Sequence, residues 1–327
     1  MHIEHIKTPS HEALWRAYDA ETGFLSYIAV HRTVGGKSLG GVRMQPYLDE
    51  SLAMQDVLRL SEHMSYKAML ADLPLGGAKC VVVQQPKSPV LWAQLGAFIN
   101  HLQGTYIAAE DAGINLQDIT ALHAHTHYVV GTVQAAQSPA PSTALGVFLG
   151  LQEAWQYLSQ EDLQGKKIWL QGVGSVGKVL REKLVENHAT LFLSDLHAPY
   201  TPNPYWHEDL DIFCPCALGG VLNQNTILAL RAKLVAGAAN NQLENEARDS
   251  ALLAEKGIVY VPDFLINAGG LIHVAQELWG FDIAKVHAKV LEIPKRISFL
   301  LAQAQKDKIS PYLLAKQIAV EKLAKSV

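Results

Sequence analysis

The feature that most constrains the fold is a glycine-rich turn in the second half of the chain. Gly172, Gly174 and Gly177 form the pattern G-x-G-x-x-G, which follows the apolar run IWLQ and precedes VGKVLREKLVE, a segment with helical spacing. The next apolar run, TLFLS, is followed by Asp195, 23 residues after Gly172. A strand, a tight turn and a helix in this order predict a dinucleotide-binding βαβ unit.

The same motif predicts which dinucleotide is bound. Glycines let a pyrophosphate approach the helix N-terminus closely, and an acidic residue at the end of the second strand hydrogen-bonds the ribose 2′-hydroxyl. Asp195 would repel a 2′-phosphate, so we expect NAD rather than NADP. Only about fifteen residues, rich in proline, separate Asp195 from the next apolar run, so the unit is expected to lack a regular helix and strand there.

Composition limits the class of protein. With 327 residues, 49% hydrophobic and 18% charged, the chain is long enough for two domains with apolar cores. The formal net charge of -4 without a basic cluster argues against a nucleic-acid partner. Signal-peptide and membrane-spanning patterns are not found, and three cysteines without framework spacing are typical of a reducing compartment. We therefore expect a cytoplasmic protein with no membrane association.

Two lysines in the N-terminal half stand in apolar or small surroundings, Lys67 in SYKAM and Lys79 in LGGAK. A lysine in a cleft can bind a carboxylate, and one that is desolvated or close to another cation loses its proton more easily. Such a residue is suited to acid/base chemistry. The alternative is a lysine that extends along apolar surface to reach solvent.

Several polar residues follow apolar runs, where an open α/β sheet carries its functional groups. Asp111 follows YIAAE, and Asn240, Asn241 and Asn267 each follow a strand-like segment. The alternative for Asp111 is a turn or an N-cap, and for the asparagines a turn or cap. The run HAHTH resembles a metal site, but helical positions i and i+2 do not share a face and no acidic or thiol partner is nearby, so no metal is expected.

These blocks together resemble the Glu/Leu/Phe/Val amino-acid dehydrogenase family, most of all its leucine dehydrogenase-like branch. The resemblance covers nearly the whole chain and rests on ordered blocks: GGVRM, SYKAM, LPLGGAK, AAEDAG, THYVVG, GVGSVG, CPCALGGVLN, AGAANNQLENE and PDFLINAGGLIHVAQEL. The chain departs from many relatives at Ala68, where they have asparagine, and in the short segment after Asp195.

The resemblance implies a reversible oxidative deamination of an L-amino acid by NAD, giving a 2-oxo acid and ammonia. Lys67 would bind the α-carboxylate, Lys79 would polarise the carbonyl and the attacking water, and Asp111 would shuttle the proton. It further implies the following substrate-binding residues: Leu39, Gly40, Met64, Ala109, Asn267, Leu271 and Val274. The cofactor-binding residues would be Thr143, Gly172, Gly174, Ser175, Val176, Gly177, Asp195, Cys216, Ala217, Ala239, Asn240 and Asn267.

The pocket positions implied by the family are apolar, so glutamate is disfavoured because its second carboxylate would be buried without a partner. Leucine, valine and isoleucine fit this interpretation best. An aromatic amino acid, phenylalanine or tryptophan, stays open because a methylene more or less discriminates by only about 1 to 3 kcal/mol. A further alternative is a non-catalytic member with a reduced cofactor lobe.

The expected fold class is α/β, with three parts. Residues 1–136 would form an α/β substrate domain, and residues 137–284 a Rossmann-type, doubly wound NAD domain with a shortened segment after its second strand. Residues 285–327 would form C-terminal helices that return to pack on the substrate domain. By resemblance the protein is expected to be a homo-oligomer.

Overall fold

The computed structural model describes residues 1–132, 138–197, 199–200, 204–217 and 219–326. The chain divides into two compact units. The first unit comprises Met1–Ser138, Val274–Asp282 and Ala319–Val327, and the second comprises Pro139–His273 and Ile283–Ile318. The predicted boundary between residues 136 and 137 lies outside the described residues.

The first unit is built on a six-stranded mixed sheet with strand order β1-β2-β3-β5-β4-β6. Its strands are β1 (His2–Ile6), β2 (Ala13–Asp19), β3 (Phe24–Arg32), β4 (Ser38–Gln45), β5 (Gly76–Val83) and β6 (Tyr106–Glu110). Strands β5, β4 and β6 run parallel, while β1, β2, β3 and β5 pair antiparallel in sequence. The carboxyl ends of β5, β4 and β6 therefore meet at one edge.

Helices cover both faces of this sheet: α1 (Glu50–Leu70) on one, and α2 (Pro89–His101) and α3 (Leu116–His123) on the other. Asp49 caps α1 by accepting a hydrogen bond from the Leu52 amide, and Ser88 caps α2 in the same way. The apolar core splits by strand alternation. Val81 packs with Ala53 and Val57 on the α1 face, whereas Cys80 and Val82 belong to the opposite core.

The second unit contains a five-stranded parallel sheet with the order β11-β10-β9-β7-β8. Its strands are β7 (Lys167–Gln171), β8 (Thr190–Ser194), β9 (Ile212–Pro215), β10 (Leu234–Val235) and β11 (Val259–Tyr260). Its helices include α4 (Ala140–Ser159), α5 (Ser175–Glu186), α6 (Gln224–Ala229), α7 (Glu246–Glu255) and α8 (Asp263–Ile266). The order reverses at β7, between β8 and β9, as in doubly wound folds.

Strand β8 is an edge of this sheet, and no further strand pairs with it in the described residues. Aromatic residues of the segment after Asp195 pack on the sheet instead. The Trp206 ring lies 4.6 Å from that of Trp169, and the Tyr205 ring lies 5.3 Å from that of Phe192. The α/β fold class and the shortened segment are thus confirmed, since bulky rings replace a helix and a strand.

The C-terminal part contains α9 (Gly269–Ala275), a 3₁₀ turn (Gln276–Trp279), α10 (Ile283–Val290), α11 (Ile293–Asp307) and α12 (Pro311–Ser326). The expectation that residues 285–327 all pack on the first unit is wrong for residues 285–318, which cluster with the second. Glycines on α4 explain this, because they let α11 approach. A Cβ at Gly146 would lie 2.8 Å from Ile293, and one at Gly150 would lie 2.6 Å from Ile297.

Among the described residues, none of the helices has the length and apolar character required to cross a membrane.

Candidate active site

Lys79 lies in the middle of β5 and is almost fully buried, with 4% of its surface exposed. Its neighbours Ala78 and Cys80 point into the core under α2 and α3, so Lys79 lies on the α1 face. A lysine that reaches solvent along apolar surface is therefore excluded. The ammonium group needs a partner inside the protein, and it has one.

That partner is Asp111, which follows the end of β6. Lys79 Nζ lies 2.7 Å from Asp111 Oδ2. Strand β4 runs between β5 and β6, and Gly41 lies where the two side chains meet. A Cβ at Gly41 would lie 2.7 Å from the Asp111 Cβ and 3.2 Å from Lys79 Nζ. The ion pair thus forms across a strand that carries no side chain at this position.

Asp111 is not the N-cap of α3, since Asn115 has that role. The N-cap alternative is therefore wrong, whereas the turn is present, since the Asp111 carbonyl accepts a hydrogen bond from the Ile114 amide.

A third charged residue, Arg43, completes the group, and the sequence analysis missed its role. Arg43 Nε lies 3.0 Å from Asp111 Oδ2, and its Nη1 lies 3.2 Å from Asp56 Oδ2. The Tyr47 hydroxyl donates to the same Asp56 oxygen at 2.7 Å. The sequence carried one signal: Arg43 stands two residues after Gly41, and alternate residues of a strand share a face.

Burial and charge set the protonation of this group. Burial is the largest influence on Lys79 and lowers its pKa; the charge of Asp111 opposes burial, and the charge of Arg43 adds to it. Burial disfavours the charged form of Asp111 as well, but Lys79 and Arg43 outweigh it and hold the pKa of the carboxyl well below its usual range. The ligand-free site therefore pairs an ionised carboxylate with an amine that gives up its proton more readily than usual.

Several other predicted substrate residues lie in the first unit. Leu39 pairs in register with Gly77 and with Ile107, and Ala109 pairs with Gly41, which places Leu39 and Ala109 on the face of Lys79. Lys67, which is buried, and Met64, which is half-buried, lie on α1.

Gly40 precedes Gly41 on β4 and therefore faces the opposite side of the sheet. A Cβ there would lie 1.6 Å from the Ala78 carbonyl oxygen, and the Gly40 carbonyl accepts a hydrogen bond from the Tyr106 hydroxyl. Its glycine is required by close packing of β4 on β5.

The remaining predicted substrate residues are divided between the units. Val274 belongs to the first unit, where a Cβ at Gly131 would lie 4.0 Å from its Cγ1. Leu271 and Asn267 belong to the second unit, and both are buried.

The glycine turn of the second unit has the geometry expected of it. Gly172 has a φ of +95°, and a Cβ there would lie 2.7 Å from the Ala217 nitrogen. A Cβ at Gly177 would lie 2.1 Å from the Gly172 carbonyl oxygen, whereas no atom lies within 4 Å of one at Gly174. Helix α5 begins at Ser175 without a side-chain cap. Its first amides, including that of Val176, therefore offer donors to an anion such as a pyrophosphate.

Asp195 closes this turn. Its carboxylate accepts hydrogen bonds from the amides of Val173, at 2.7 Å, and His197, at 3.0 Å. These two backbone bonds hold the pKa of Asp195 below its usual value. An ionised carboxylate is thus present at the end of β8, where a ribose is bound in dinucleotide folds.

The ends of β9 and β10 supply further groups beside the turn. Cys216 and Ala217 follow β9, and the Ala238 amide lies 3.5 Å from Cys216 Sγ. Ala239 is buried after β10, and its carbonyl accepts a hydrogen bond from the Gln242 amide group.

Two asparagines are linked in the second unit. Asn267 Nδ2 donates to Asn240 Oδ1 at 2.8 Å and to the Ala238 carbonyl at 3.0 Å. In the part of the chain that the structure describes, the buried Asn267 Oδ1 has no hydrogen-bond partner. A buried acceptor of this kind suits a ligand that carries an N–H group. Thr143 lies close by, since a Cβ at Gly270 would lie 2.6 Å from its Oγ1.

The residues therefore fit a dinucleotide: an open turn, free amides, an acidic residue and a buried amide acceptor belong to one unit.

The described residues contain no group of three histidine, cysteine or acidic side chains placed to hold a metal ion. His123 ends α3, and its ring lies 6.0 Å from that of His127.

Two family models match the sequence. Residues 13–128 match the Glu/Leu/Phe/Val dehydrogenase dimerisation domain, and residues 186–327 match glutamate/leucine/phenylalanine/valine dehydrogenase. L-tryptophan dehydrogenase from Nostoc punctiforme is 38% identical over 99% of this chain and 96% of its own length. Leucine dehydrogenase from Bacillus subtilis is 38% identical over 98% of this chain and 93% of its own.

Solved structures agree. The crystal structure of L-tryptophan dehydrogenase from Nostoc punctiforme superposes with a TM-score of 0.82 at 38% identity and covers 97% of both chains. A hetero-hexameric glutamate dehydrogenase from Thermus thermophilus superposes with a TM-score of 0.78 at 21% identity, over 97% of this chain and 89% of that chain, which shows the shared fold alone.

Proposed function

Because the chain belongs to the Glu/Leu/Phe/Val dehydrogenase family, whose members are NAD(P)-dependent amino-acid dehydrogenases, we propose that it catalyses the reversible oxidative deamination of an apolar L-amino acid with NAD. The products are the 2-oxo acid and ammonia. The observation that carries the proposal is the pair formed by buried Lys79 and half-buried Asp111, 2.7 Å apart and flanked by Arg43. Bound NAD would supply the acceptor for the hydride of the substrate Cα.

The protein's own residues bind the substrate and move protons. The Lys67 ammonium binds the α-carboxylate as a point charge. The lowered pKa of Lys79 makes its neutral amine available to take a proton from the attacking water. The resulting ammonium polarises the carbonyl group of the substrate. Asp111, hydrogen-bonded to Lys79 Nζ, shuttles the proton between the substrate nitrogen and solvent. Leu39, Ala109 and Val274 form an apolar wall of the pocket for the substrate side chain.

The preference for NAD follows from Asp195. Two backbone amides keep its carboxylate ionised, so it can accept a hydrogen bond from a ribose 2′-hydroxyl and repels a 2′-phosphate. Thr143, Asn240 and Asn267 bind the nicotinamide end, and the unpartnered Asn267 Oδ1 is the acceptor for its carboxamide.

The preferred side chain is proposed to be aliphatic, as in leucine, valine or isoleucine. The first unit supports this, because Leu39 and Ala109 share the face of Lys79 and carry no charge to meet a second carboxylate. An aromatic substrate is the second candidate. The relative named L-tryptophan dehydrogenase, as similar in sequence as the leucine dehydrogenases, favours it.

We also propose a homo-oligomer in the cytoplasm. The model that matches residues 13–128 is described as a dimerisation domain. The three cysteines are free thiols, which suits a reducing compartment.

The first experiment is an assay of the purified protein with NAD and, one at a time, leucine, valine, isoleucine, phenylalanine, tryptophan and glutamate. NADH formation is followed by absorbance at mildly alkaline pH. Fastest turnover with the aliphatic acids supports the proposal, and fastest turnover with tryptophan or phenylalanine transfers it to the second candidate. If folded protein that binds NAD forms no NADH with any of these amino acids, both candidate functions are refuted.

Lys79→Ala tests the assigned chemistry. General acid/base catalysis contributes about 10²- to 10⁴-fold, so kcat/KM is expected to fall by roughly that factor while NAD still binds. Lys87→Ala is the matched control, because Lys87 also pairs with an aspartate, Asp118, but is 39% exposed. Equal activity of the two variants would contradict the role of Lys79.

A further inference from the structure

A hydrogen bond joins α1, the helix that carries Lys67, to β5, the strand that carries Lys79. The Gly77 amide of β5 donates a hydrogen bond to the Ser65 hydroxyl of α1 at 3.0 Å. Ser65 stands two residues before Lys67, and Gly77 stands two residues before Lys79. The bond therefore lies beside both lysines.

The two elements touch at this point because Gly77 has no side chain. A Cβ there would lie 2.0 Å from the Ser65 nitrogen and 2.6 Å from its hydroxyl oxygen. Ser65 is completely buried, with 0% of its surface exposed. Any side chain at Gly77 would push the helix away from the strand, so the contact sets the helix–strand distance.

The Ser65 hydroxyl has a second partner that fixes its direction. His31 Nδ1 of β3 lies 2.9 Å from the same oxygen. Since the oxygen accepts from the Gly77 amide, its own hydrogen is available to His31 Nδ1. The hydroxyl is thus held between two neighbouring strands, β3 and β5, and cannot rotate away without leaving the Gly77 amide unsatisfied.

We infer that Ser65 is a positioning residue of the active site: its hydroxyl sets the spacing of Lys67 and Lys79. The inference rests on the proposed function, in which Lys67 holds the substrate carboxylate and Lys79 acts at the reacting carbon. A substrate must reach both amines at once, and a displacement of about 1 Å is enough to cost about 10²-fold in rate.

The test compares Ser65→Ala with Ser61→Ala. Ser61 lies one turn earlier on α1, is equally buried, and also bonds a histidine, His11 Nε2, at 2.9 Å. Its hydroxyl contacts the Leu58 carbonyl rather than β5. Both variants lose one buried hydroxyl from the same helix, so loss of stability alone affects them alike.

Ser65→Ala is expected to raise the KM for the amino acid and lower kcat/KM by about 10- to 100-fold, with the KM for NAD unchanged. Ser61→Ala should keep the wild-type KM for both substrates. Ser65→Thr, which retains the hydroxyl, should restore the KM to within about threefold of wild type. Equal kinetics for the two alanine variants would overturn the inference.

Hydrogen exchange in the ligand-free protein gives a readout independent of turnover. The Gly77 amide should exchange faster in Ser65→Ala than in Ser61→Ala, and an unchanged rate would show that the bond does not hold the strand. A wild-type protein without turnover refutes the proposed function. An active wild type whose Ser65→Ala and Ser61→Ala variants behave alike refutes only the role of Ser65.

Discussion

At the residue scale, the candidate site depends on three charges packed around a glycine. Burial lowers the pKa of Lys79, and the charge of Asp111 raises it. Arg43 changes this balance, because it adds a second cation 3.0 Å from the same carboxylate oxygen. Its charge lowers the pKa of Lys79 and at the same time holds Asp111 ionised.

Arg43→Gln is expected to shift the pH profile of amino-acid oxidation. Removing the cation takes away one influence that lowers the pKa of Lys79, so that pKa rises. The neutral amine is then formed only at higher pH, so the acid limb of kcat/KM should move to higher pH. The measurement is kcat/KM for the best amino acid across the pH range.

Arg59→Gln is the control for the charge change. Arg59 lies near the same Asp56, at 4.0 Å, but is 44% exposed, so solvent screens its charge. Its acid limb should match that of wild type. An acid limb that stays in place in Arg43→Gln, or moves downward, would contradict the coupling of Arg43 to Lys79.

At the scale of elements, the turn between β7 and α5 is held by the strand that follows it. Asp195 at the end of β8 bonds the Val173 amide within the turn, so β8 and the turn form one structure. The same carboxylate has both a structural and a proposed ligand-binding role. This explains how the second unit keeps a complete turn although, among the described residues, no further strand pairs with β8.

Asp195→Asn is expected to weaken the preference for NAD. The asparagine side chain has no negative charge and one acceptor fewer than the carboxylate. Hydrogen bonds to charged groups are worth about 1.5–3 kcal/mol. The ratio of kcat/KM for NAD to that for NADP should fall by about 10- to 100-fold, mainly through a higher KM for NAD. Steady-state kinetics with both dinucleotides measures it.

Asp211→Asn is the matched control, since Asp211 also accepts a hydrogen bond from a backbone amide, that of Lys167 at the start of β7. This amide lies at the amino ends of the parallel strands, whereas Asp195 lies at their carboxyl ends. It should leave the NAD:NADP ratio unchanged. A ratio that is also unchanged in Asp195→Asn would argue that this residue does not meet the ribose.

At the scale of the whole molecule, neither unit is a single stretch of chain. The first unit includes residues 274–282, which lie between the two segments of the second unit, and residues 319–327, which follow them. These segments make defined contacts there: Glu277 accepts a hydrogen bond from the Gly131 amide, and Lys322 pairs with Asp72 just past the end of α1. The last turns of α12 thus support the helix that carries Lys67.

A chain that stops after Glu321 should therefore be less stable and bind the amino acid less well. It loses the Lys322 contacts and the buried side chain of Leu323, whose burial is worth about 1.5–3 kcal/mol. We expect a thermal midpoint lower by several degrees and a higher KM for the amino acid, measured by thermal unfolding and steady-state kinetics. Lys325→Ala, at an exposed position, is the control; a truncated chain as stable and active as this control would contradict the prediction.

Local signals in the sequence determined a large part of this protein. Hydrophobic periodicity located α5, and the glycine pattern with Asp195 predicted the turn that the structure contains. Ordered sequence blocks identified the family. Strands β1 and β2 were not predicted from the sequence.

Only the tertiary structure decided how distant segments meet. Strand order β5-β4-β6 brings Lys79, Gly41 and Asp111 together, and no local pattern encodes that order. The roles of Arg43 and Ser65, and the membership of residues 283–318 in the second unit, also depend on which surfaces pack together. The physical reason is that periodicity and turn chemistry act within a few residues, whereas strand register and helix packing join residues far apart in the chain.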